Sequence, residues 1–254
     1  MNFAVTVPRN QRLRSERSLP AQKKPWRQRI PRILGTFDLD GDGRPETLFR
    51  QEFDKDYFFG SRINELKLSN GSLKDFRPNI DLPGRFTVLG SLFADLTGDG
   101  QLETVFIRGG LLYIYSGKKA VYTSPQQMGG SLSFLTYAVN PSAKNVMFTS
   151  ASFEISPVVA DLDGDGQLEL LAVASDRNIV GTLKAAPGIK KSWLSAVKFR
   201  DGRFDMGILG EEMDAPVPGL AVPDDRVLFV ASKPTNIVGQ GGRSDLLAYP
   251  LVRP

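Results

Sequence analysis

"DLDGDGQLE" at residues 161–169 sets four carboxylates and two glycines in nine positions. The same frame stands at 38–46 as "DLDGDGRPE" and at 95–103 as "DLTGDGQLE". Recurrence at a regular spacing marks a repeat architecture. The leading aspartates Asp38, Asp95 and Asp161 are 57 and 66 residues apart. A fourth, degraded copy follows. "VVADLDGDGQLELLAVAS" (158–175) matches "GLAVPDDRVLFVAS" (219–232) in its flanks, with the acidic turn reduced to "PDD", and Asp224 lies 63 residues after Asp161.

Short apolar runs flank each frame: "RILGTF", "TVLGSLFA" and "SPVVA" before it, "ETLFR", "LETVFIR" and "LELLAVA" after it. Runs of four to eight such residues bounded by Gly and Asp read as strands, so each acidic turn joins two strands. Asn70-Gly71 and Asp201-Gly202 are type I′ hairpin signals, since both central residues need positive φ. Ser116-Gly117-Lys118 reads as a third bend. Each unit therefore looks like about four antiparallel strands, the content of one propeller blade. With Gly and Pro making up 42 residues, long helices are disfavoured; "IKKSWLSAVKF" (189–199) is the one short candidate and reads equally as a strand pair.

Hard cations such as Ca²⁺ take six to eight oxygens at about 2.3–2.6 Å. Carboxylates at alternate positions of a tight turn converge on one point, and the glycines permit the φ/ψ this demands. Without a cation, carboxylates so close repel and raise one another's pKa. The frame thus predicts three calcium sites: Asp38, Asp40, Asp42 and Glu46; Asp95, Thr97, Asp99 and Glu103; and Asp161, Asp163, Asp165 and Glu169. Arg44, Gln101 and Gln167, at the seventh place, would add a backbone carbonyl and leave their side chains free. Thr97 replaces a carboxylate, so the second site is expected to be weakest. Leu39, Leu96 and Leu162, at the second place, are expected to pack inward. The competing reading is an Asp/Gly turn held by its own hydrogen bonds, without an ion.

An EF-hand needs a bidentate Glu at position 12, where this chain has Phe49, Phe106 or Ala172. Three D-x-[DT]-G-D-G-x-x-E loops between strands resemble FG-GAP/VCBS repeats, the calcium-loop units of integrin-α-like propellers, over roughly residues 30–235. The resemblance implies an all-β propeller of four-stranded blades with calcium loops at its periphery. Four units are visible, at about 33–86, 87–153, 154–216 and 217–254, which implies an incomplete or open ring.

The chain has 254 residues, with no Cys and no His, which excludes disulfides and Ser-His-Asp or Cys-His catalysis. Its 41% apolar and 24% charged residues are those of an ordinary globular protein, and no apolar run is long enough to span a bilayer as a helix. The first residues lack the apolar stretch of a secretory signal, so the chain reads as a mature form or a piece of something longer. Residues 1–32 carry nine of the 32 Lys/Arg and one of the 28 acids, so this arm is +8 and the remainder −4. The arm reads as a flexible linker or as an attractor of anionic polymers; with Trp26 as its one aromatic near the charges, nucleic acid is disfavoured.

The expected function is a non-catalytic, calcium-stabilised binding, adhesion or scaffold module. Its ligand would be a protein or a glycan, and its place the cell envelope or the extracellular space, where calcium is plentiful. Polysaccharide-lyase-like catalysis on a calcium-bearing propeller is the alternative, to be recognised by a pocket with a perturbed lysine. Binding of an anionic polymer through the arm is the other.

Overall fold

The computed structural model describes residues 32–129, 134–140, 144–178, 188–223, 226–234 and 242–251. The basic arm up to residue 31 lies outside them, as does Asp224 of the degraded fourth turn. The described residues form seventeen strands in five antiparallel sheets.

The first sheet is β1 (Arg32–Phe37), β2 (Thr47–Asp54), β3 (Phe58–Ser69) and β4 (Ser72–Phe76), hydrogen-bonded in that order. The second is β5 (Ser91–Ala94), β6 (Glu103–Arg108), β7 (Leu111–Ser116) and β8 (Lys119–Thr123). A two-stranded sheet, β9 (Phe134–Ala138) with β10 (Phe148–Ser152), follows. Next come β11 (Val158–Ala160), β12 (Glu169–Asn178), β13 (Gly188–Arg200) and β14 (Arg203–Met213). The last sheet is β15 (Gly219–Ala221), β16 (Arg226–Pro234) and β17 (Gly242–Pro250).

The predicted turns are present. Asn70-Gly71 (φ 52° and 73°) joins Ser69 to its partner Ser72, and Asp201-Gly202 (φ 52° and 78°) joins Arg200 to Arg203. Both show the paired positive φ of a type I′ turn. Gly117, in the third bend, also has positive φ. The segment "IKKSWLSAVKF" belongs to one long strand, β13, rather than to a helix or a strand pair.

Strand periodicity explains the core. Side chains alternate faces along a strand, so one central strand can serve two interfaces. Leu170, Ala172 and Ala174 of β12 join a cluster with Val105, Ile107, Leu112 and Ile114 of the second sheet. Leu171 and Val173, on the other face, pack with Val217, Leu220, Val227 and Phe229 toward the last sheet. Between the first two sheets lie Phe37, Phe49, Phe86, Phe93 and Phe106, with Phe37 edge-on to Phe93 at a centroid distance of 5.1 Å. Tyr113 and Tyr115 stack on Phe106, and Trp193 packs against the middle cluster, so these aromatics serve packing.

The β-propeller expectation is corrected. The five sheets are separate, and none closes into a ring or curls strongly on itself. Buried clusters join the first sheet to the second, the second to the third four-stranded sheet, and that to the last. Among the described residues, neither a ladder nor a buried cluster joins β15–β17 back to β1–β4. Sheet sizes of four, four, two, four and three also break the repeat of four-stranded units. The FG-GAP/VCBS and integrin-like architecture falls with the ring. The physical reason is that the acidic frame is a local signal. It specifies a loop between two paired strands and says nothing about contacts between the first and last units.

Candidate metal centre

Each acidic frame links the first two strands of a four-stranded sheet and is built alike. In the first, Asp38 accepts from the N–H of Gly41 and of Gly43, both at 2.7 Å. Asp42 accepts from Arg44 N–H at 2.7 Å, and Glu46 reaches back to Leu39 N–H at 3.0 Å. Asp40 accepts from Asp42 N–H at 3.2 Å. Gly41 and Gly43 have φ of 79° and 85°, which turn consecutive N–H groups inward and are strained for residues with a Cβ. The pattern recurs: Asp95 takes Gly98 and Gly100, Asp99 takes Gln101, and Glu103 takes Leu96. Asp161 takes Gly164 and Gly166, Asp165 takes Gln167, and Glu169 takes Leu162. Leu39, Leu96 and Leu162 each point into a different cluster, as expected of anchors.

These bonds orient the carboxylates without exhausting them, because each carboxylate oxygen keeps a second lone pair. Asp38, Asp40 and Asp42 bring one oxygen each within 4.8 Å of one another, and so do Asp161, Asp163 and Glu169. Glu46 is exposed and stands outside the first group. The second loop gathers no such trio from Asp95, Asp99 and Glu103, and the Thr97 hydroxyl makes only a long 3.5 Å contact to Glu103.

The three glutamates differ. Glu103 and Glu169 are buried; Glu46 is not. Burial pushes the Glu103 carboxyl up, only partly offset by bonds from Leu96 and Thr97, and the charges of Asp99 and Asp95 add to the rise. Burial works in the same direction on Glu46, but hydrogen bonds from its own backbone, Thr47 and Leu39 outweigh it and hold the carboxyl below its usual value.

The sequence reading missed Lys198. Its ammonium lies 2.7 Å from Asp163, 2.6 Å from Asp165 and 2.7 Å from Glu169. Its side chain is 16% exposed and that of Glu169 only 5%. Burial opposes the lysine's charge, but bonds to Asp163, Asp165 and Glu169 win and raise its pKa. Those bonds in turn hold Asp165 low. Register places the lysine there. Leu170 pairs with Val197, so one step further Glu169 faces Lys198. In the second sheet Glu103 faces Ser116, which brings no charge; in the first, the β2–β3 pairing runs only as far as Phe49–Glu65. Among the described residues, no ion pair reaches the acids of the first two loops.

The seventh place also differs from expectation. The Gln167 side chain is committed, donating to the Leu96 carbonyl of the second loop at 3.0 Å. Away from the loops, a cavity of about 500 Å³ has Tyr57, Phe59, Arg108, Tyr137, Ser150 and Glu154 in its lining, and no lysine among its described residues. No helix among the described residues is long and apolar enough to cross a membrane. Comparison with family models, with curated proteins and with solved structures finds no match in any of the three.

Proposed function

We propose that this all-β chain is a non-catalytic binding or scaffold module whose first acidic loop takes a stabilising Ca²⁺ ion, with the second loop as a weaker site. The observation that carries this is the convergence of Asp38, Asp40 and Asp42, with no ion pair among the described residues to offset them. The third loop supports it, because there the same frame surrounds a cation, the ammonium of Lys198. An all-oxygen, hydrogen-bonded cage on a surface turn suits Ca²⁺ better than Mg²⁺, which demands a stricter octahedron. Sites of this exposure fit the affinities of about 10⁻⁴–10⁻³ M seen in extracellular modules, which favours the cell envelope or surface. Recognition of a protein or glycan falls to the 500 Å³ cavity, where Tyr57, Phe59 and Tyr137 meet Arg108 and Ser150.

The test is a thermal melt in calcium and in excess EDTA. An ion that binds only the folded chain stabilises it, by about 2.7 kcal/mol at a hundredfold excess over its Kd. Calcium should raise the midpoint, and Asp40→Asn should remove most of that rise. A midpoint indifferent to calcium and EDTA would sink the proposal.

A further inference from the structure

We infer that Lys198 is a tethered cation that fills the third acidic loop and closes it to Ca²⁺, so that this one side chain sets which of the three frames are ion sites. The inference rests on the reading that the frame is a cation site, and goes beyond it by assigning the third frame a different occupant.

Three carboxylates stand 2.6–2.7 Å from the Lys198 nitrogen. That is close to the distance at which Ca²⁺ would hold the same oxygens, so ion and ammonium compete for one position. The lysine has the advantage of being attached. It stands on β13, a central strand paired on both sides, and arrives without the translational cost of a free ion. Entry of calcium would also strip the partners from a lysine whose side chain is only 16% exposed, a costly exchange. Glu169 Oε1 is buried, and the Lys198 ammonium 2.7 Å away is the charge that answers it. Among the described residues the other frames have no counterpart: Ser116 faces Glu103 and brings no charge, and no ion pair reaches Glu46. Loop sequence alone makes the first and third frames equivalent; the facing strand makes them different.

The experiment counts bound calcium by equilibrium dialysis on the full chain, on Asp163→Asn, on Lys198→Met and on the double variant. The inference predicts that Asp163→Asn binds as many ions as the unmodified chain. Lys198→Met should bind one more, and the double variant should lose that extra ion. One ion fewer in Asp163→Asn would overturn the inference and leave calcium binding by the first loop intact. A folded Lys198→Met with no extra ion would overturn it as well. An unmodified chain that binds none while Lys198→Met binds one would sink the proposed function and uphold this inference. Should Lys198→Met fail to fold, the Asp163→Asn comparison still decides, because it leaves the lysine in place.

Discussion

The side-chain amide of Gln167 donates to the backbone carbonyl of Leu96 at 3.0 Å, clasping the third acidic loop to the second. Both backbone polar groups of Leu96 are thereby engaged, since its N–H donates to Glu103 at 2.8 Å. Leu96 is 1% exposed, so water cannot easily replace the amide. Gln167→Ala should cost about 1–2 kcal/mol by leaving a buried carbonyl short of a donor, read as a lower urea midpoint at unchanged slope. An unchanged midpoint would contradict the clasp.

Gln51 is a second buried amide with a joining role. Fully buried on β2, it donates to the carbonyls of Gly60 (2.8 Å) and Phe86 (3.1 Å) and accepts from Val88 N–H (3.0 Å). It therefore ties the first sheet to the segment that enters the second. Gln51→Leu keeps the volume but strands three backbone groups, at about 1–3 kcal/mol each, so a loss of at least about 3 kcal/mol is expected in denaturant unfolding. Gln51→Glu should be at least as damaging at neutral pH, where a carboxylate would face two carbonyls, and should recover in part as acid protonates it. Equal stability of the three proteins would contradict this.

Glu103 gives a pH prediction for the ion-free chain. Its carboxyl is raised in the fold, chiefly by burial. A group raised above its unfolded value adds stability that is full below the unfolded pKa, about 4.3, and is lost as pH rises through the folded value. In EDTA, Glu103→Gln removes this loss. The variant should gain on the unmodified chain as pH rises above the unfolded value, seen as a melting difference that moves in its favour. Added calcium should then stabilise the unmodified chain more than the variant. A difference flat across that rise in pH would contradict the assignment.

The local parts of this molecule were readable in the sequence; the long-range parts were not. The acidic frame announced a loop between paired strands, its glycines announced positive φ, and Asn70-Gly71 and Asp201-Gly202 announced their hairpins, because all of these are decided within a few residues. Leu39, Leu96 and Leu162 were readable as anchors for the same reason. The ring was not readable, since closure depends on contacts between the first and last sheets. The β9–β10 sheet was missed because no acidic frame flanks "FLTYA" or "FTSAS" and no Asn-Gly or Asp-Gly pair stands between them. Lys198 was missed because it stands 29 residues beyond Glu169, and the pairing register of β12 and β13 is what brings the two together. The Asp201-Gly202 turn fixes β13 against β14 and leaves that register unspecified.

A crystal structure grown in millimolar calcium tests the central claim most directly. The prediction is an ion held by Asp38, Asp40 and Asp42 in the first loop, with Lys198 still seated among Asp163, Asp165 and Glu169 in the third. A first loop without an ion at saturating calcium, or an ion in the third loop with Lys198 swung away, would contradict it.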